Sequence, residues 1–295
     1  SKEYQFSILA ATNAPYVMQD FFESRQIEVH QLQGIFGIKS VFRRGRILDR
    51  FFSEHQFDIV HINANTINAV YIAKAATRAG CRVIFQIHNA QPSGYPWYAR
   101  ILTELNKQIQ RQYLYRYPIK LISVSQDAAL RVFGKKLTPS VQIIENGIDT
   151  DRYLFSSEKR SEIRKVLNLG KNNKVAIVVA RLMPIKNISR AIELFGQTGG
   201  QLLDNLVIVG TGPELEALHA QAEKLPDDLK RQVIFTGQKS NPSDYLCAAD
   251  VFFATSIAEG LSISVIEAQA SGLPVLASTG IPEITNVTGR VIYTD

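Results

Sequence analysis

Two carboxylates, Glu259 and Glu267, stand eight residues apart within ATSIAEGLSISVIEAQASGLPVLAS (Ala254–Ser278). The apolar run DVFFA (Asp250–Ala254) predicts a strand and Glu259-Gly260-Leu261 a loop. From about Ser262 the pattern is helical, stopping at Gly272 before Pro274, with Ser262 or Ser264 as the cap. A helix N-terminus offers unpaired amide donors and roughly half a positive charge, which suits a phosphate ester. Ionised carboxylates do not bind phosphate, but each accepts from two hydroxyl donors at once. Phosphates in the middle and a polyhydroxylated ring at each end describe a nucleotide-sugar. Single carboxylate spacings are weak signals, and the same two acids also fit solvated helix charges.

Other strand ends carry further candidates. Arg181 and Lys186 follow KVAIVVA (Lys174–Ala180), just before a predicted helix, where two cations can stabilise a departing diphosphate without a metal. A surface Arg and Lys is the competing reading. Gly212, in GTGPE (Gly210–Glu214), lets the backbone approach a ligand, and the missing third glycine argues against a dinucleotide fingerprint. Gly237 and Gln238 follow QVIFTG and can present amides to a base edge. His88 follows RVIFQI (Arg82–Ile87) and either meets an acceptor or is a satisfied loop histidine. Asp149-Thr150-Asp151 has the form of a metal-binding DxD, but it trails an Asn-Gly turn instead of ending a strand, and is set aside.

The elements that must position these residues alternate between short apolar runs and helical patterns, which predicts an α/β protein with parallel sheets. Strands are expected at Phe6–Ala10, Ile27–Leu32, Phe57–Ile62, Arg82–Ile87, Lys120–Ser125 and Val141–Ile144 in the first half. The second half offers Lys174–Ala180, Asn205–Gly210, Gln232–Gly237, Asp250–Ala254, Pro274–Ser278 and Arg290–Tyr293. A charged, turn-rich stretch from Asp151 to Asn173, with a short helix near Glu158–Leu167, divides the chain into 1–155 and 156–295. Open parallel sheets bind ligands at the carboxyl ends of their strands.

The 295 residues, 45% hydrophobic and 20% charged, suffice for two globular domains. No run of about 18 apolar residues suggests a membrane span and the N-terminus does not read as a targeting peptide, so a cytoplasmic protein is expected. Cys81 and Cys247 lie far apart and are expected to be buried thiols, and the five histidines show no metal-ligand spacing, so no metal is expected. The net charge of +6 resides in residues 1–150. Arg43, Arg44, Arg46 and Arg50 form one basic cluster. Arg100, Lys107, Arg111, Arg116 and Lys120 form another among Trp97, Tyr98, Tyr113, Tyr115 and Tyr117. Such a face fits an anionic membrane or simple solubility; without a binding motif, nucleic acid is not expected.

Together, EGLSISVIE, VARLMPIKN, VGTGPE, ENGID and GIPEI (Gly280–Ile284) occur in the order and spacing of family 4 glycosyltransferases. The chain resembles that family over nearly its whole length, and most of all its bacterial capsular and exopolysaccharide branch. The resemblance implies a GT-B fold, with two Rossmann-like domains facing across a cleft, and metal-independent transfer of a hexose-type sugar with retention. By position, Arg181 and Lys186 would bind the diphosphate, aided by amides of Gly260, Leu261 and Ser262. Glu259 would take the sugar hydroxyls, Glu267 the ribose, and His88 would face the reacting sugar. The nucleotide-sugar, with UDP expected, is then a substrate and no cofactor is implied. The acceptor is expected to be lipid-linked or a saccharide at the inner membrane face. Against the family, the chain is expected to lack the first β-α unit and the last helices. Two other readings stay open: a nucleotide-sugar-binding protein without turnover, and an epimerase of the same fold acting on a UDP-amino sugar.

Overall fold

A computed structural model describes residues 4–10, 19–35, 40, 42–88, 97–198 and 200–294. The first half contains β1 (Ser7–Ala10), α1 (Gln19–Glu23), β2 (Glu28–Gln31), α2 (Arg44–Glu54), β3 (Ile59–Ala64) and α3 (Val70–Arg78). It continues through β4 (Arg82–Ile87), α4 (Trp97–Arg116), β5 (Lys120–Ser123), α5 (Gln126–Phe133) and β6 (Gln142–Ile143). The second half runs α6 (Ser157–Val166), β7 (Val175–Val179), α7 (Ile188–Thr198), β8 (Asn205–Val209), α8 (Leu215–Ala222) and α9 (Asp227–Lys230). Then follow β9 (Val233–Gly237), α10 (Pro242–Ala248), β10 (Val251–Ala254), α11 (Ile263–Ala270), β11 (Val275–Ser278) and β12 (Val291–Thr294).

All strand pairs are parallel. The second sheet has the order β12-β11-β10-β7-β8-β9, so the chain leaves β7 in one direction and returns to start β10 on its other side. A ligand crevice is expected at that reversal. Alternation along β7 feeds two apolar layers. Val175 and Ile177 pack with Val265 and Ala268 of α11, whereas Ala176 and Val178 pack with Ile188, Ile192 and Phe195 of α7. Each fully buried Val, Ile or Phe among them contributes about 1.5–3 kcal/mol.

In the first half β3-β4-β5-β6 form one ladder and β1-β2 a separate one. Leu9 and Leu32 nonetheless pack against the same core as Phe51, Phe52, Phe85 and Phe133, so the apolar layer continues where the assigned ladder stops. Cys81 and Cys247 are free and buried. Among the described residues, no helix is long and apolar enough to cross a membrane. The basic clusters are only partly free. Arg50 pairs with Glu54, Arg44 covers the Tyr71 ring, and Arg111 bonds Glu104 and the carbonyls of Arg131 and Val132. The side chains of Trp97, Tyr98 and Arg100 lie outside the described residues.

The segment expected to be a linker is fastened to the second sheet. Arg164, 5% exposed, donates to the carbonyls of Ala248, Gly170, Lys171 and Asn173 and to Asp250 Oδ2. Asp250 also accepts from Arg160 and from the Val175 amide, which ties the amino ends of β7 and β10 to α6. Sequence sees only a charged helix here, because its partners Ala248 and Asp250 lie 84 to 90 residues away. Removing Arg164 leaves the carbonyls of Ala248, Gly170, Lys171 and Asn173 without this donor, while Asp250 keeps Arg160 and the Val175 amide. Unpaired acceptors cost about 1–3 kcal/mol where they stay buried, so Arg164→Leu should cost about 2–4 kcal/mol in urea unfolding. A loss under about 1 kcal/mol, the range of exposed pairs, would show that the network carries no stability.

Candidate functional site

The β7–β10 pairing covers only Ala176–Val251 and Ile177–Phe252, whereas β7 pairs with β8 over five positions, Val175 to Val179. Towards their carboxyl ends β7 and β10 part. A narrow cavity lies there, lined by the apolar Val178, Val179, Phe253 and Ala254 and by the polar Lys186, Ser256, Ser262 and Ser264. Lys186 comes from the turn Pro184–Lys186, which Asn187 ends in a left-handed conformation (φ 48°), one that Asn tolerates. Thr255 Oγ1 donates to the Lys186 carbonyl (3.1 Å) and the Ile257 amide to that of Ile185 (2.8 Å). These bonds lock the β7 and β10 loops together.

Lys186 Nζ makes an ion pair with Glu259 Oε1, which also accepts from Ser256 Oγ at 2.8 Å. The Glu259 side chain is 7% exposed and that of Lys186 26%, so the pair sits where its field is poorly screened. The backbone of Glu259 is held by the Gly280 carbonyl at 3.1 Å. A Cβ on Gly280 would run into the carbonyls of Ser256 and Ile257, so this close approach requires glycine. Ser262 occupies the N-cap position of α11, but contrary to expectation its side chain makes no capping bond, and Ser264 lies inside the helix. The helix start is thus left without a side-chain cap, beside Lys186 and behind the buried residues Gly260 and Leu261.

The remaining predicted residues are distributed around this centre. Arg181 is exposed in the loop after β7 and has no hydrogen bond or ion pair among the described residues. Glu267 lies half-buried on α11 and accepts from the Tyr153 hydroxyl at 2.6 Å. Burial pushes the Glu267 carboxyl up, against the pull of Tyr153 and Arg152, and the Tyr153 hydroxyl is pushed up to about 12 by burial and then by Glu267. Gly212 lies against the Leu182 backbone, where a Cβ would strike the Leu182 carbonyl. Loop packing by itself thus requires a glycine here, where the Leu182 amide donates to the Thr211 carbonyl at 2.9 Å. Gly237 and exposed Gln238 end β9, with the Gly237 carbonyl accepting from Gly210 at 2.9 Å.

His88 stands at the carboxyl end of β4 in the other sheet, 2.8 Å from Asn63 Oδ1 and without a hydrogen bond to the Lys186 cluster. Burial, then the nearby His61, lowers its pKa, so the ring is neutral at pH 7. The following loop, with Asn89, Gly94 and Pro96, lies outside the described residues. A wider cavity of about 780 Å³ lies instead near the amino ends of β3 and β4, lined by Asp49, His55, Arg78 and Cys81. It contains none of the predicted site residues. Sequence reasoning missed Ser256, Tyr153 and Asn63. Ser256 sits inside the stretch singled out, whereas Tyr153 lies 114 residues from its partner and carries no local signal.

Open parallel sheets with polar side chains gathered at strand carboxyl ends define an α/β protein whose ligands are expected at those ends. Residues 6–152 match Glycosyltransferase Family 4, and residues 159–289 match Glycosyl transferases group 1. The chain belongs to the family 4 glycosyltransferases. It is 27% identical over 232 residues to the putative glycosyltransferase EpsF of Bacillus subtilis, covering 77% of this chain and 59% of EpsF. It is 28% identical over 272 residues to a GDP-mannose-dependent alpha-(1-6)-phosphatidylinositol monomannoside mannosyltransferase of Mycolicibacterium smegmatis, covering 83% and 65%. The chain thus spans less than two thirds of either relative. The crystal structure of Anabaena HepE with UDP superposes with a TM-score of 0.76 at 22% identity, covering 97% of this chain and 77% of that one, which establishes the GT-B fold.

A carboxyl whose folded pKa is raised favours the folded state only while protonated, so its contribution is lost as pH rises through that pKa. At pH 7 the Glu267 carboxylate costs stability. Glu267→Gln should raise the melting temperature at pH 7, with the gain vanishing below about pH 4. A gain independent of pH between these values would refute the assignment.

Proposed function

We propose that this chain carries the donor site of a retaining glycosyltransferase that moves a hexose-type sugar from a UDP-sugar to a lipid-linked or saccharide acceptor. The observation that carries this reading is the Lys186–Glu259–Ser256 cluster at the β7–β10 reversal, beside a helix start without a side-chain cap. The diphosphate would lie between Arg181, Lys186 and the amides of Gly260 to Ser262. As it approaches, Lys186 is shared between phosphate and Glu259. Glu259 Oε2, without a partner among the described residues, then turns to the sugar hydroxyls. Glu267, oriented by Tyr153, takes the ribose, and Gly212, Gly237 and Gln238 border the base.

Transfer then proceeds on one face of the sugar. The bond from the anomeric carbon to the phosphate oxygen breaks, the bond to the acceptor oxygen forms, and the acceptor proton passes to the leaving phosphate. Arg181 and Lys186 stabilise the charge that grows there, so this reading needs no metal. Neutral His88 faces the sugar and the acceptor as a hydrogen-bonding group. The acceptor's lipid is placed at an anionic, cytoplasmic membrane face reached by the first half, where Phe42 is 88% exposed beside exposed Arg43 and Arg46.

Calorimetric titration with UDP, GDP and ADP, without added metal, tests the donor assignment. UDP should bind selectively. Charge-assisted hydrogen bonds contribute roughly 1.5–3 kcal/mol, so Glu267→Ala should weaken UDP by about 10- to 150-fold. Unchanged affinity would overturn the ribose role, and selective GDP binding would overturn the choice of base. Lys186→Ala should depress turnover more than donor affinity, because leaving-group charge grows in the transition state. Equal losses would argue against that role, and donor binding without transfer would favour a binding protein over an enzyme.

A further inference from the structure

Glu28 and His30 stand two residues apart on β2 and so share one face of the strand. Across from them, His55 closes α2 as its C-cap residue. One potential ligand atom from each of the three lies within 4.8 Å of the others. His30 Nε2 and Glu28 Oε2 are 3.6 Å apart, close to the roughly 3.3 Å between ligand atoms around a tetrahedral zinc ion. His55 Nδ1 lies 3.0 Å from the Phe51 carbonyl, which can only accept, so Nδ1 carries the proton and Nε2 keeps its lone pair. A backbone carbonyl fixing the far nitrogen is the usual partner of a metal-bound imidazole.

The surroundings fit as well. His30 meets Phe51 edge-on at 5.2 Å, and His55 stacks on Phe51 at 4.6 Å and is parallel to Phe57 at 6.4 Å. These rings pack around the two imidazoles, leaving the His30 side chain 12% exposed, whereas that of Glu28 is 68% exposed and reaches solvent. Two imidazoles and one carboxylate suit a zinc-class ion, whereas magnesium and calcium prefer oxygen ligands throughout.

We infer that Glu28, His30 and His55 bind one divalent transition-metal ion, of which zinc is the type, with water completing the coordination. The site lies where β2 begins and α2 ends, just ahead of β3, at the strand ends opposite to the one that bears His88. The ion therefore takes no part in sugar transfer. It ties β2 to the end of α2, where the assigned ladders leave β1-β2 separate from β3-β4-β5-β6. The scattered positions 28, 30 and 55 hide this set from sequence spacing.

The test begins with the chain dialysed against a chelator and titrated with cobalt(II), whose visible bands report coordination, followed by zinc competition. One equivalent of cobalt should develop the bands and zinc should abolish them. Zinc should also raise the melting temperature of the unaltered chain but not of His30→Gln. Glu28→Gln, which removes nothing from the core, and His55→Gln should each weaken binding at least about tenfold. His219→Gln should bind as the unaltered chain does. Absence of saturable binding at one equivalent would overturn the site, as would affinity indifferent to both Glu28→Gln and His55→Gln, which would mark adventitious surface binding.

Discussion

The geometry of the second domain depends on how β7 and β10 meet. Their pairing lasts two residues and then stops. At the amino end, Asp250 gathers Arg160, Arg164 and the Val175 amide, so the two strands cannot part there. At the carboxyl end the ladder stops, the bonds of Thr255 to Lys186 and of Ile257 to Ile185 join the two loops, and a narrow cavity lies between the strands. Parallel strands whose connections run to opposite sides leave such a gap without further design.

Within the site, neighbouring charges balance one another. Lys186 is held by Glu259, and Glu259 by Ser256. Glu259 is buried and a buried charge requires a partner, which Lys186 and Ser256 supply. Exposed Arg181 is under no such restraint. Glu267 shows the complementary case, a carboxylate raised by burial and held in place by a single tyrosine hydroxyl. Groups kept at a cost to the fold are characteristic of binding sites.

The fold class, parallel strands and order of the loops were legible because each rests on local patterns: apolar runs of strand length, helical periodicity and glycine or proline stops. Lys186 and Glu259 were legible as residues after strands. That they form one ion pair was not, since 73 residues separate them and only the strand order β10-β7 makes them neighbours. Gly212 reads in sequence as room for a ligand; that it also lies against the Leu182 backbone was not legible there. The charged helix at Glu158–Leu167 is legible beside the domain boundary, but its fastening through Arg164 to Ala248 and Asp250 is not.

The sequence alone therefore determined which elements form and which chemical groups stand at their ends, because hydrophobic period and turn chemistry act over a few residues. The tertiary structure decided which of those ends meet: Lys186 with Glu259, Tyr153 with Glu267, and Glu28 and His30 with His55. The order of strands in a sheet is set by packing among distant segments, and no local pattern encodes it.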